Sequence, residues 1–145
     1  MLDRILLATD LSEESASAWH IAIVLAQRST RPALCVLHIF DIPSAYVDID
    51  GAGLVPRLYE DSRRSAEEEM RRYGALCRAS GIEMRPVERL GNPVESIVKT
   101  ARDENAELIV LGIRHAGVID RLLGRSIVGQ VARMAPCHVL CVKPR

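Results

Sequence analysis

The residues of this chain best suited to chemistry are concentrated in one stretch, residues 108–127. An apolar run ends at Gly112, a polar loop follows, and Ser126 opens a segment with helical apolar spacing. A strand, a glycine turn and a helix start in this order allow backbone N–H groups to point at a phosphate. The stretch therefore predicts an anion site at the exposed end of a buried strand.

Enzymatic chemistry is not supported by any motif. The sequence has neither a G-x-S-x-G nucleophile elbow nor a phosphate-loop lysine motif. Asp10, His115 and Ser126 could converge at one sheet edge, but a base must lie within hydrogen-bond reach of its nucleophile. We therefore predict no catalytic residue and, at most, slow turnover.

The composition narrows the class of protein. Of 145 residues, 48% are hydrophobic and 26% are charged, which is typical of a globular domain. The 19 basic residues balance 19 acidic ones, and aromatic residues make up only 3%. A nucleic-acid or anionic-membrane binder usually carries excess basic charge, and base stacking needs aromatic side chains. We therefore expect neither nucleic acid nor a membrane as a partner.

The N-terminus and the cysteines bear on where the protein works. The first apolar run is short and ends at Asp10, so it fits a first strand better than a signal peptide. No run reaches about 18 consecutive apolar residues, the length that a membrane-spanning helix needs. Cys35, Cys77, Cys137 and Cys141 match no zinc or haem spacing. We predict a cytoplasmic protein with small core cysteines and no metal site.

Short buried runs alternate with longer amphipathic segments, a pattern typical of repeated strand–helix–strand units. The predicted strands are residues 4–9, 33–40, 83–90, 108–112 and 138–142, and the predicted helices are residues 12–26, 57–79, 93–104 and 126–134. Pro86 predicts an edge position for the third strand. Residues 41–56 are predicted to form an exposed, mobile connection. Right-handed crossovers between parallel strands place helices on both faces of the sheet.

Local signals predict several helix ends. Ser12 is predicted to cap the first helix, and Asn92 the third, with Pro93 in its first position. Gly81 predicts the end of the second helix.

Three aromatic positions have structural interpretations. Trp19 lies beside the apolar stripe of the first helix, which predicts half-burial. His38 and His138 lie within apolar strands and are interpreted as structural histidines with satisfied nitrogens.

Several segments, in the correct order, resemble the universal stress protein family over essentially the whole length of the chain. They are residues 5–12, 37–39, 91–95, 106–112, the loop to residue 126, and 135–142. The resemblance implies an α/β, Rossmann-like fold with a doubly wound five-stranded parallel sheet in the order 3-2-1-4-5. It also implies a single domain over residues 1–145 and a homodimer through the last strand, His138–Val142. An uncovered apolar edge of that kind favours association.

Family members that bind ATP resemble one another in a loop of the form G-x2-G-x9-G-[ST]. In this chain Gly112 matches the first glycine and Ser126 matches the hydroxyl residue. His115 and Arg125 occupy the other two glycine positions. Two further glycines lie close to those positions, Gly117 and Gly124.

These departures affect the phosphate end of the implied site. A Cβ in a glycine position blocks the close approach of the backbone to a phosphate. Side-chain cations would compensate instead, from Arg114, His115, Arg121 and Arg125. Val128 occupies a position where family binders often carry another hydroxyl.

The resemblance also implies the parts of an adenine-nucleotide site. The remaining residues implied to line it are Thr9, Asp10, Ile39, Leu111, Ser126 and Ile127. Thr9 and Asp10 would lie near the ribose or the first phosphate. Ile39 and Leu111 would pack on adenine. Ser126 and Ile127 would bind a phosphate at the helix start. The implied ligand is ATP or another adenine nucleotide, with Mg²⁺ if it is a triphosphate.

Two functions therefore stay open. In the first, the protein binds ATP, ADP or AMP as a regulatory ligand in a stress response. In the second, the same fold has a degraded phosphate loop and acts as a nucleotide-independent dimeric interaction or signalling protein. His115, Arg125 and Val128 favour the second function, whereas Asp10 and the strand–glycine–serine arrangement favour the first.

Overall fold

The computed structural model describes residues 2–11, 15–40, 54–112 and 126–145. Within them the strands are Ile5–Thr9 (β1), Ala33–Phe40 (β2), Glu83–Leu90 (β3), Leu108–Gly112 (β4) and His138–Val142 (β5). The helices are Ala16–Gln27 (α1), Leu54–Ala79 (α2), Pro93–Asp103 (α3) and Ile127–Met134 (α4). Four of the five strands have the predicted bounds, because each is a short apolar or alternating run between polar turns.

The strands form one parallel sheet in the order β3-β2-β1-β4-β5. This order confirms the one implied by the family resemblance, and the edge position of β3 confirms the prediction from Pro86. The chain proceeds outward from β1 through β2 to β3, and then returns to the other side of β1 as β4. The strand order thus reverses between β1 and β4, the place where open α/β sheets bind their ligands.

Each face of the sheet carries its own apolar core. On one face α1 and α2 cover a cluster that includes Leu7, Val36 and Val110. On the other face α3 and α4 cover a cluster that includes Leu6 and Ile109. Every residue of β1 is buried, since this central strand is covered on both sides. Burying one such aliphatic side chain contributes about 1.5–3 kcal/mol, so these two layers hold the sheet edge in place.

Trp19 corrects the prediction of half-burial, because its exposed fraction is only 1%. Its indole stacks on the Tyr73 ring of α2, with centroids 3.9 Å apart and planes 5° apart. The apolar spacing of α1 indicated which face is inward. It did not indicate that the long helix α2 would cover the edge of that face.

Helix ends agree with the prediction in part. Asn92 caps α3 by accepting the N–H of Glu95 at 3.1 Å, with Pro93 following as predicted. Gly81, at φ +70°, follows α2 in the left-handed conformation that favours glycine. The predicted cap Ser12 lies outside the described residues, and α1 begins at Ala16 rather than directly after that serine.

The start of α2 corrects the predicted connection over residues 41–56. The helix begins at Leu54, so Pro56 lies in its first turn. A proline is tolerated there because the first N–H groups of a helix have no intrahelical partner. Residues 41–53 lie outside the described part of the chain. No helix of the described residues is long and apolar enough to cross a membrane.

Candidate functional site

The candidate site lies at the carboxyl edge of the sheet, where β1 and β4 end side by side. These strands pair in parallel, with Ala8 opposite Leu111. Asp10 directly follows β1 and is exposed, while Gly112 is the last residue of β4. Because α4 connects β4 to the parallel strand β5, its first residues also face this edge. The fold thus brings the ends of three predicted site segments to one edge.

Local hydrogen bonds of Thr9 organise the turn that carries Asp10. The buried Thr9 hydroxyl donates to Ser15 Oγ at 3.2 Å and accepts the N–H of Leu11 at 3.0 Å. Leu11 has a φ of +61°, in the left-handed region that a leucine rarely adopts. Such a conformation persists only where surrounding contacts hold it, and it is enriched at functional sites. The Thr9 side chain therefore positions the turn.

The two predicted adenine contacts share one face of the sheet. Ile39 and Leu111 both belong to the layer under α3 and α4. Ala8 of β1 lies opposite Leu111 on one side and Leu37 on the other, so Ile39 is two residues further toward the carboxyl edge. Ile39 is partly buried and offers some surface, whereas the exposed fraction of Leu111 is 4%. Ile39 is therefore the better placed of the two for an apolar contact with a ligand.

Gly112 faces the opposite layer. A Cβ added there would lie 3.5 Å from Ser15 Cα and 3.6 Å from Ala18 Cβ, which is ordinary contact distance. Its φ is not positive, unlike those of Gly81 and Gly91. The position therefore faces the start of α1 and has room for one Cβ.

Ser126 caps α4 as predicted. Its backbone is extended, and its Oγ accepts the N–H of Gly129 at 3.2 Å. The helix itself offers no acceptor to the N–H groups of Ile127 and Val128, which lie in its first turn. Their positive ends, with the helix dipole, suit an anion at the carboxyl edge. The Val128 side chain instead packs against the α3–α4 layer, which explains an apolar residue in that position.

Comparison with known proteins identifies the family of this chain. The universal stress protein family model matches residues 1–143. The chain belongs to the universal stress protein family. A universal stress family protein of Staphylococcus aureus (strain USA300) is 30% identical over 146 residues, which cover 96% of this chain and 82% of the relative.

Solved universal stress protein structures share the fold. UspA from Lactobacillus plantarum matches with a TM-score of 0.79 at 22% identity, covering 99% of both chains. The protein from Archaeoglobus fulgidus, solved in complex with dAMP, matches with a TM-score of 0.66 at 22% identity, covering 97% of both chains.

Part of the predicted universal stress protein site lies outside the described residues. These positions are Arg114, His115, Gly117, Gly124 and Arg125. Their contribution to a phosphate site stays a prediction. The described residues hold no group of three or more histidine, cysteine or acidic side chains arranged for a metal ion.

His38 is buried in β2, but within the described residues its ring nitrogens are not both hydrogen-bonded as the sequence interpretation expected. Its exposed fraction is 7%, and its Nδ1 has no hydrogen-bond partner among the described residues, so its nitrogens are not both satisfied. The ring meets Phe40 edge-on at 4.4 Å. Burial lowers the pKa of His38, while the Asp10 carboxylate opposes that shift. The available signal was a histidine one residue before Ile39 in an apolar strand.

His138, the other histidine interpreted as structural, is exposed at the start of β5. The four cysteines are free thiols, of which Cys77 is buried and the others are partly buried. Burial raises the pKa of each thiol. A raised pKa disfavours the nucleophilic thiolate, which agrees with their interpretation as packing residues.

Proposed function

We propose that this universal stress family protein binds an adenine nucleotide, ATP, ADP or AMP, as a regulatory ligand in the cytoplasm. The observation that carries the proposal is that Asp10, directly after β1, and the Ser126-capped start of α4 both belong to the carboxyl edge of the sheet. That edge adjoins the point where the strand order reverses, between β1 and β4. A carboxylate can accept hydrogen bonds from the ribose hydroxyls of a nucleotide, and the N–H groups of a helix start can bind its phosphate.

Each described residue has a physical role in this proposal. The exposed Asp10 carboxylate accepts hydrogen bonds from ribose hydroxyls. Ile39 gives adenine an apolar surface on the α3–α4 face. The N–H groups of Ile127 and Val128 bind a phosphate oxygen. The dAMP complex of the Archaeoglobus fulgidus protein supports the ligand class, since that chain shares the fold.

The phosphate end of the proposed site depends on the loop between β4 and α4. We propose that Arg114, His115 and Arg125 replace backbone contacts with side-chain cations. Gly117 and Gly124 leave the backbone room to approach the ligand. Mg²⁺ would accompany a triphosphate and offset its charge.

A thermal unfolding experiment tests the proposal. A ligand at about a hundred times its dissociation constant stabilises the folded state by about 2.7 kcal/mol. ATP, ADP and AMP are compared, with and without Mg²⁺, on the wild type and on Asp10→Asn. Asp61→Asn, which alters an exposed aspartate of α2, is the matched control. We expect a shift that the Asp10 variant reduces and the control keeps. No shift with any nucleotide at millimolar concentration would contradict the proposal.

The second candidate is a nucleotide-independent interaction protein, and β5 is the observation that favours it. This strand forms one edge of the sheet, and the exposed fraction of Leu140 is 36%. An edge strand with an exposed leucine is prone to pair with another chain. We propose a homodimer through His138–Val142 in either case.

Two measurements separate the candidates. Native mass spectrometry of protein purified without added ligand detects any bound small molecule. Near-stoichiometric adenine nucleotide would rule out the nucleotide-independent version. Light scattering on the wild type and Leu140→Lys tests the dimer, and a stable wild-type monomer at micromolar concentration would contradict it.

A further inference from the structure

A cavity of about 270 Å³ lies at the amino edge of the sheet, opposite the edge that carries the proposed nucleotide site. Its walls are the first residues of β1, β2 and β3 and the turn that follows α3. Pockets for drug-sized ligands start at about 300 Å³, so this cavity suits a smaller molecule. The nucleotide proposal uses none of its lining residues.

Small side chains on β2 explain why there is a cavity here. In the parallel register, Leu6 of β1, Cys35 of β2 and Arg85 of β3 form one row across the sheet. Leu6 and Cys35 belong to the layer under α3 and α4, so the row faces α3. Ala33, two residues before Cys35, presents a second small side chain on the same face. Because α3 ends near this edge, at Asp103, these small side chains leave the space open.

Two guanidinium groups line the cavity, and bonds to the chain hold both of them. Arg85 forms an ion pair with Glu104, the residue that follows α3. Arg4 donates to the Asn105 carbonyl at 2.6 Å and to Glu107 Oε1 at 2.9 Å. An arginine has more N–H donors than these bonds use, and the two side chains are 59% and 57% exposed. Each guanidinium can therefore still bind a carboxylate from solution.

The carboxylates that line the cavity differ in what they already bind. Asp3 accepts the N–H and the hydroxyl of Thr30, at 2.8 and 2.6 Å, and Glu104 pairs with Arg85. The exposed side chain of Glu83 has neither an ion pair nor a hydrogen bond within the part of the chain that the structure describes. Glu83 is thus the lining carboxylate best able to bind a positively charged group.

Glu83 and Arg85 lie two residues apart on β3 and therefore face the same side of the sheet. Positions two apart on a strand are separated by roughly 7 Å. A molecule that carries an ammonium and a carboxylate on one carbon atom can bridge such a pair, because both side chains reach toward it. A simple anion would instead meet Glu83 as a like charge, and a simple cation would meet Arg85.

We propose that this cavity binds a free α-amino acid with a small apolar side chain. The α-carboxylate of the ligand binds Arg85, and Arg4 adds positive charge from the β1 side. The ammonium binds Glu83, and the apolar side chain packs on Ala33 and Cys35. This second ligand site is independent of the proposed nucleotide function, since it lies at the other edge of the sheet.

The first arm of the experiment locates the site by NMR, with leucine as the probe and no nucleotide present. We expect a dissociation constant of about 1 mM, a typical value for weak binding of a small ligand. The backbone amide signals of Leu6, Cys35 and Arg85 should shift, while those of Asp10 and Ser126 should not. Absence of shifts at saturating leucine, or shifts confined to the carboxyl edge, would overturn the proposal.

The second arm tests the ligand class with two compounds related to leucine. Isocaproate lacks the ammonium group, and isopentylamine lacks the carboxylate. We expect each to bind about fivefold more weakly than leucine, because each loses one partly solvated charge contact. Isocaproate or isopentylamine binding as tightly as leucine would overturn the assignment to an amino acid.

The third arm tests the residues. Glu83→Gln should weaken leucine binding about fivefold and leave isocaproate binding unchanged, since only leucine carries the ammonium. Glu88→Gln is the matched control, because Glu88 is another exposed glutamate of β3 but faces the opposite layer. A Glu83→Gln variant that binds leucine as tightly as the wild type would overturn the proposal.

Filling the cavity provides a variant that changes no charge. Cys35→Leu adds apolar volume where the ligand side chain would lie, and we expect it to abolish the leucine-dependent NMR shifts. If Cys35→Leu does not fold, Ala33→Leu serves instead, since it fills the same space from the neighbouring position on that face. Unchanged leucine binding in the folded variant would overturn the proposal.

Nucleotide binding measured on the same preparations separates this inference from the proposed function. Leucine binding at the amino edge without any nucleotide binding would support the inference and contradict the proposed function. Nucleotide binding without any amino-acid binding would overturn the inference alone.

Discussion

Thr9 and Ser15 are joined by a hydrogen bond between their hydroxyls, 3.2 Å long, that ties the end of β1 to the start of α1. The same Thr9 oxygen accepts the N–H of Leu11 at 3.0 Å. Asp10 therefore lies between Thr9 and a left-handed Leu11, two residues that this hydrogen bond joins. The placement of this carboxylate depends on the buried hydroxyl of the residue before it.

Replacing Thr9 with valine should loosen this turn. The variant leaves the partly buried Leu11 N–H without its acceptor, and losing a typical hydrogen bond costs about 0.5–1.5 kcal/mol. Urea unfolding followed by the fluorescence of Trp19, the single tryptophan, measures the loss. Thr9→Ser keeps the hydroxyl and is expected to lose less. Equal stability of the valine variant and the wild type would show that the hydroxyl does not hold the turn.

Gly112 should tolerate alanine but not valine. A Cβ would meet Ser15 and Ala18 at ordinary contact distances, and alanine in a strand is favoured over glycine by about 0.5–1 kcal/mol. The branched methyl groups of valine would press on α1, and overpacking of this kind costs about 1–3 kcal/mol. Chemical denaturation compares the two variants.

Nucleotide binding by Gly112→Ala and Gly112→Val tests whether the ligand approaches the backbone of Gly112. If the glycine only allows α1 to approach, Gly112→Ala binds like the wild type and Gly112→Val loses the thermal shift. Loss of binding in both variants would show that the backbone must approach the ligand here.

The fold was largely predictable because its signals are local. Strands such as β2 and β4 are apolar runs bounded by turns, and Asn92 followed by Pro93 marks a helix start. The strand order came from the family resemblance, since periodicity does not specify which strands are neighbours. Ser126 was predictable as a helix cap for the same local reason.

The features that the sequence did not predict depend on contacts between residues far apart in the chain. The stacking of Trp19 on Tyr73 joins residues 54 positions apart, and apolar spacing in α1 carries no information about it. The burial of His38 likewise follows from packing against neighbouring strands and Phe40. Gly112 was interpreted from its position after an apolar run, whereas its contact is with α1.

His38 should make stability depend on pH in the mildly acidic range. Its folded-state pKa is lowered by burial, so the neutral ring stabilises the fold above about pH 6.5, the ordinary histidine value. This contribution is lost as pH falls toward the folded-state pKa, because the unfolded state then binds more protons. Urea unfolding between about pH 8 and pH 5 should show a decline in the wild type that is smaller in His38→Gln.

A second decline belongs to surface carboxylates and occurs at lower pH. Hydrogen bonds from Thr30, from Lys99, and from the backbone of residues 3 and 4 lower the pKa values of Asp3, Asp103 and Glu107, respectively. Their stabilisation is present above about pH 4 and is lost below it. A decline confined to this acidic range would contradict the assignment of the upper one to His38.

The two capped helices offer a matched test of the candidate site. Ser126 and Asn92 make the same bond, each accepting the N–H three residues on, at 3.2 and 3.1 Å. Removing either cap with alanine should destabilise the protein by about 1 kcal/mol. Ser126→Ala should also weaken nucleotide binding severalfold, because the first turn of α4 frays where the phosphate would bind. Asn92→Ala should leave affinity unchanged once stability is accounted for. The reason is that α3 begins at the end of the edge strand β3, which β2 separates from β1 and the candidate site. Calorimetry on both variants separates the effects, and an equal loss of affinity would mean that Ser126 acts through stability alone.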